Sequence, residues 1–202
     1  MVIEVHVPDG ESGDWKVDTT SLSDNDITFQ KMRAFAQHGR GCFEKGPFKR
    51  LIRNNETIMS NTPDECRDFM WFVDYATGTV LLNGLGLGVV VQALLNKKDV
   101  TEIIVIEKSE DVIKLCGPTY LKDPRVTLIH EDAFEYQPPK GKRYNAVWHD
   151  IWDSICIDNI EDMKKLHRKY GRRCDYQKSW ARERCESERR EEQRENYNPW
   201  GF

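Results

Sequence analysis

No apolar run in this sequence approaches the roughly 20 residues that a membrane-spanning helix needs. The first residues, Met1-Val2-Ile3-Glu4, have neither the basic nor the apolar region of an export signal. A soluble cytoplasmic protein with no membrane partner is therefore the expectation. Cysteine is scarce: Cys42, Cys66, Cys116, Cys156, Cys174 and Cys185 are scattered, with no Cys-x-x-Cys pair and no close histidine. That spacing excludes the usual structural zinc sites and points to free thiols. Excess positive charge is also lacking. The formal net charge of −4 gives no general pull toward nucleic acid or anionic lipid. No internal repeat and no heptad seam are visible.

What is present is a 202-residue chain, long enough for one domain with a proper core and modest additions. Charged residues make up 32% of it and crowd toward the C-terminus, so the core must come from the first three quarters. Residues 1–20 alternate weakly and suggest a loose hairpin across Asp9-Gly10. Ile27, Met32 and Phe35 lie near helical spacing between Asp24 and His38, with Gly39 and Gly41 as the stop. Phe48-Lys-Arg-Leu-Ile and Thr57-Ile-Met-Ser flank Asn54-Asn55, which reads as two strands around a tight turn. Thr62-Pro63-Asp64-Glu65 then opens a helix toward Tyr75, stopped by Gly78.

From Thr79 the pattern becomes a regular alternation. Apolar strands are expected at Thr79–Leu82, Glu102–Ile106, Arg125–Ile129 and Tyr144–Trp148, with helices from Val89 and after Ser109. Continuous apolar strands with crossover helices indicate a mostly parallel sheet covered on both faces, an α/β Rossmann-like fold. Residues 158–170 read as a helix with Ile160, Met163 and Leu166 inward. Residues 177–196 read as a solvated helix, its arginines offset by interleaved glutamates. The organisation expected is an N-terminal extension over 1–78, a core over 79–172 and a charged helical tail over 173–202. No strand is evident after 154. The sheet then ends at its fourth core strand, or residues 1–20 or a second subunit cover the exposed edge.

The chemistry gathers at the carboxyl ends of these strands, where open α/β sheets bind ligands. Asn83-Gly84-Leu85-Gly86-Leu87-Gly88 joins a strand to a helix. Glycine suits a tight turn passed closely by a ligand. Its G-x-G-x-G spacing departs from the dinucleotide fingerprint G-x-G-x-x-G, since position 89 is Val. Glu107 ends the next strand, where a carboxylate can accept both hydroxyls of a ribose; Lys108 follows it. Asp132-Ala133 follows the third strand. The fourth ends in Trp148-His149-Asp150-Ile151-Trp152-Asp153. There Asp150 is a candidate general base, with Asp153 beside it. Trp152 offers a flat face to an apolar or cationic substrate. His149 reads as a satisfied surface histidine.

This set resembles the class I S-adenosylmethionine (SAM)-dependent methyltransferases, and within them the spermidine-synthase-like branch, over roughly residues 47–155. The resemblance implies SAM as cofactor. Asn83, Gly84, Leu85, Gly86 and Gly88 would lie along its tail, with Glu107 and Lys108 at the ribose. Asp132 and Ala133 would meet the adenine, and Asp150 the reactive end. It also implies that the upstream hairpin closes over the nucleoside pocket. Aminopropyltransferases of the branch carry an acid where this chain has Leu87, and methyltransferases commonly carry one where it has Leu82. The first departure shifts the expectation toward ordinary SAM and methyl transfer to an unidentified acceptor. The second leaves Asp64, Glu65 or Asp150 to meet the methionine ammonium. Polyamine aminopropyl transfer, or SAM binding or cleavage without transfer, are the alternatives; a nucleic-acid partner is not expected.

Overall fold

The computed structural model describes residues 2–36 and 42–196; Gly39 and Gly41, read as the stop of the first helix, lie outside them. Four strands form an N-terminal antiparallel sheet: β1 (Gly10–Ser12), β2 (Trp15–Thr20), β3 (Phe48–Arg53) and β4 (Glu56–Ser60), in that order. The β1–β2 turn falls at Gly13-Asp14, not at Asp9-Gly10 as expected. Gly13 supplies the left-handed backbone, with φ 55°. The β3–β4 turn is at Asn54-Asn55, both with positive φ (49° and 65°), the geometry of a two-residue hairpin turn that matches strand twist. Before β1, the alternation of residues 2–7 is an alternation of burial: Ile3, Val5 and Val7 join the core.

Helix α1 covers Asp24–Ala36; Ile27 is buried on it and Met32 exposed. Helix α2 covers Pro63–Tyr75, as its cap and proline imply. The Thr62 side chain makes no cap bond to the helix. Glu65 instead accepts from the Ser60 backbone N–H (2.5 Å) and hydroxyl (2.7 Å), tying the helix start to the end of β4.

The second sheet is parallel and has five strands: β5 (Gly78–Asn83), β6 (Val100–Glu107), β7 (Val126–His130), β8 (Tyr144–His149) and β9 (Cys174–Ser179), in the order β7-β6-β5-β8-β9. This is a Rossmann-like sheet whose order reverses between β5 and β8. Alternate residues serve opposite faces. Val80, Leu82, Ile103, Val105, Ala146 and Trp148 enter the larger core, which includes α2 and helices α3 (Val89–Leu95) and α4 (Glu110–Tyr120). Leu81, Ile104, Ile106 and Val147 enter a second core with Leu166 and Tyr170 of helix α5 (Asn159–Tyr170). Burial on both faces explains the uninterrupted apolar runs. Each fully buried large side chain contributes about 1.5–3 kcal/mol.

The fifth strand corrects the sequence reading. Cys174–Ser179 pairs with β8 from Tyr144↔Cys174 to His149↔Ser179, inside the segment read as a helical tail. It covers the edge of β8, while residues 10–20 belong to the other sheet. Only the following helix α6 (Arg182–Asn196) is charged along its length, anchored by the buried Cys185. The N-terminal sheet is fastened to α4 by the Ser12 hydroxyl, which donates to Asp111 (2.6 Å).

Candidate functional site

The switch point between β5 and β8 opens into a cavity of about 700 Å³. Its floor is the turn after β5. Gly84 has φ 99°, and a Cβ there would lie 1.9 Å from the Asp150 carbonyl oxygen. The Asp150 N–H donates to the Asn83 carbonyl (2.8 Å), so the turn and the end of β8 are laced together at that contact. Gly88 opens α3 at φ 76° against the ring of Tyr120, whose hydroxyl donates to the Leu87 carbonyl (2.8 Å). Gly84 and Gly86 line the cavity, whereas Asn83, Leu85 and Gly88 do not. Leu87 is fully buried in the core, so that position offers the cavity no side chain.

Glu107 leaves the end of β6 and lines the cavity. Its two oxygens accept N–H bonds from Leu85 (2.8 Å) and Ser109 (2.7 Å), which bridges the glycine turn to the start of α4. Each oxygen keeps a second lone pair for a ligand. Asp132, beyond β7, accepts from the Phe134 N–H (2.8 Å) and from Lys108 (2.7 Å). The Lys108 ammonium holds the Asp132 carboxyl below its ordinary range. Lys108, Ala133 and Phe134 complete this end of the cavity.

Asp150 follows β8 at the cavity floor. Burial first, then the nearby Glu65, Asp68 and Glu107 carboxylates, push its pKa up to about 7, against a weak bond from the Trp148 indole N–H (3.4 Å). Trp152 and Asp153 also line the cavity. Asp153 is paired to Arg53 of β3 (3.1 Å), so it closes the rim as well as facing inward. His149 is fully buried, contrary to the surface position expected of it. Its Nδ1 accepts from the Asn83 amide (2.7 Å) and its Nε2 lies 3.2 Å from Gln177. Burial pushes its pKa down to about 3, which keeps the imidazole neutral. Strand alternation fixes this: His149 points into the second face, and its neighbour Asp150 leaves the sheet at the edge.

The roof includes the upstream hairpin that the resemblance implied, but the sequence singled out none of its lining residues and did not anticipate the place of the β1–β2 hairpin beside it. Asp14 and Trp15 from the β1–β2 hairpin, Leu51 and Arg53 from β3, and Ile58 and Met59 from β4 all line the cavity. Arg53 lies over the Trp15 ring, 5.2 Å from its centroid. The Met59 sulfur accepts from the Leu87 N–H (3.3 Å), so β4 sits directly on the glycine turn. Glu65 reaches the cavity from α2, with its pKa raised by burial, while Asp64 does not line it. Among the described lining residues nine carry carboxylates and two, Arg53 and Lys108, are cationic. The cavity thus favours ligands that bring positive charge. No cluster of three or more His, Cys, Asp or Glu among the described residues could hold a metal ion. No described helix is long and apolar enough to cross a membrane.

No family model matches the chain. It is similar to polyamine aminopropyltransferase 2 of Caldanaerobacter subterraneus subsp. tengcongensis, 26% identical over 102 residues. The match covers 46% of this chain and 34% of that protein, so the aligned part spans about a third of the relative's length. Among solved structures it is similar to the spermidine synthase of Thermotoga maritima (17% identity, TM-score 0.45, 79% of this chain and 52% of that one). It is also similar to the CcbJ methyltransferase of Streptomyces caelestis (17% identity, TM-score 0.43, 52% of this chain and 43% of that one).

Proposed function

We propose that this chain is a SAM-dependent methyltransferase acting on an acceptor bound beside Asp150 and Trp152. The observation that carries the reading is the convergence of Glu107, Asp132 and Asp150, from three successive strand ends, on one cavity above the Gly84–Gly88 turn. Its volume of about 700 Å³ suits a nucleoside cofactor with room for an acceptor. Glu107 would take the ribose hydroxyls on its remaining lone pairs. Asp132 would accept the adenine amino group once Lys108 swings aside, between apolar walls from Leu51, Ile106, Ala133 and Phe134. Glu65, which reaches the cavity from α2, would face the methionine ammonium. Bound SAM would supply a methyl group activated by its sulfonium. Asp150 would orient the acceptor N–H or O–H and take the proton that the acceptor gives up. The rest of the rate would come from positioning.

One observation favours a second reading, aminopropyl transfer to an amine. Nine acids against two cations suit a cofactor without a carboxylate and a cationic acceptor, and the 26% match is to such an enzyme. Incubation with SAM, or with decarboxylated SAM, and a mixture of amine and hydroxyl acceptors separates the two by product mass. A methylated product from SAM supports the first reading. An aminopropylated amine replaces it with the second, and cofactor binding without product from either sinks both.

A further inference from the structure

The positive charge missing from the cavity is collected at the opposite edge of the sheet. A cleft of about 520 Å³ there is lined by Lys142, Arg143, Arg168, Lys169, Arg172 and Arg173, with Gly141 and Gly171 the only other described residues lining it. The topology explains the gathering. The loop before β8 brings Lys142 and Arg143, the last turn of α5 brings Arg168 and Lys169, and the short link to β9 brings Arg172 and Arg173. Part of this charge serves the fold. Lys142 pairs with Glu102 (2.6 Å), Arg143 with Asp175 (2.9 Å), and Lys169 donates to the Ala133 and Phe134 carbonyls. Cations in the last turn of α5 also suit the helix dipole.

The dipole reaches Arg168 alone of the remaining three, and neither explanation reaches Arg172 or Arg173. Arg168, Arg172 and Arg173 have no carboxylate at ion-pair distance among the described residues. Arg172 and Arg173 lie past the helix end, and Arg168 and Arg172 are exposed. In α6, by contrast, Arg182 has its glutamate, Glu186, at 2.8 Å. A net charge of −4 makes this local excess a departure from the chain as a whole. Guanidinium forks match phosphate oxygens in pairs. Among the described residues the cleft has no aromatic or apolar wall that would grip a base or ring, and Gly141 faces open space. We propose that this cleft is a second binding site, which holds the phosphate backbone of a nucleic-acid strand without reading its sequence. Strand β8 separates it from the cavity by six residues, about 20 Å, so the two sites take different ligands or distant parts of one.

The test is fluorescence anisotropy of the full chain with a labelled, mixed-sequence single-stranded RNA of 20 nucleotides, titrated with salt. Three released counterions give a slope of about −2 in log K against log salt. Arg168→Gln, Arg172→Gln and Arg173→Gln together should weaken binding at least tenfold and flatten that slope. Their circular dichroism and melting temperature should stay unchanged, because the three side chains support no described ion pair. Arg182→Gln, on α6, should leave RNA binding as it is. Absence of RNA binding at 50 mM salt overturns the proposal, as does binding that survives the triple substitution. Tripolyphosphate binding without RNA binding also overturns it, by assigning the cleft to a small anion.

Discussion

A carboxyl group at the floor of a cavity, with Glu65, Asp68 and Glu107 for neighbours, keeps its proton to about pH 7. Asp150 therefore changes state in the range where a general base is useful. Transfer should rise with pH through about 7 and then level, as the deprotonated fraction does. Asp150→Asn should lower the rate roughly 10²–10⁴-fold, erase that pH limb and leave cofactor binding in place. A stability measurement checks the same group independently. Its folded pKa lies above the unfolded value near 3.8, so the native state binds the extra proton between about pH 4 and 7. Stability contributed by this group is present below pH 4 and lost as pH rises through 7. Asp150→Asn should thus melt above the parent at pH 8, with the gap closing toward pH 4. Glu107 makes a different prediction. Glu107→Gln keeps the shape but weakens charge-assisted bonds of about 1.5–3 kcal/mol, which is roughly 10–100-fold in SAM affinity by calorimetry. Glu107, Asp132 and Asp150 could be found in the sequence because each follows an unmistakable apolar strand. His149 could not, since which face the last strand residue takes depends on where the strand ends.

At the scale of elements, the glycine turn is held from two sides, by β4 through Met59 and by α4 through Tyr120. Tyr120→Phe removes the donor to the buried Leu87 carbonyl. It should cost about 1–3 kcal/mol and lower the melting temperature by roughly 2–10 °C in a scanning calorimeter. Gly88→Ala is harsher, because its Cβ would fall 2.0 Å from the Tyr120 ring. It should yield little folded protein. The Arg53–Asp153 pair is partly exposed, so Arg53→Ala should hardly move the melting temperature. Its effect should be on the roof, as faster cofactor release in stopped flow. These roof contacts were not legible, because Trp15 and Arg53 meet the cavity only after two distant hairpins pair. The glycine turn was legible, because its spacing and its place after a strand are both local.

The whole molecule is a five-stranded sheet roofed at its carboxyl edge by a separate four-stranded one. Strands β5, β6 and β8 were legible from apolar runs buried on both faces, and the edge strand β7 from its apolar Val126, Leu128 and Ile129, side chains that β9 lacks. Strand β9 was not, because Cys174-Asp-Tyr-Gln-Lys-Ser is an edge strand with a single fully buried residue, Ser179. Its position makes a prediction about the chain as a unit. Ending the chain after Gly171 removes β9 and α6, uncovers β8, and strips the Tyr176 ring from Phe72, which packs in turn on Trp148. That shortened chain should aggregate or lose its cooperative melt. A chain with only the α6 residues beyond 186 removed should stay monodisperse and keep its cooperative melt.

The central claim is that the cavity above Gly84–Gly88 binds a sulfonium nucleoside through Glu107. Isothermal titration of the folded chain with SAM, and with its demethylated product, tests this most directly. The account predicts saturable one-to-one binding that Glu107→Ala weakens at least about tenfold. No heat at millimolar ligand, or binding indifferent to Glu107→Ala, would contradict it.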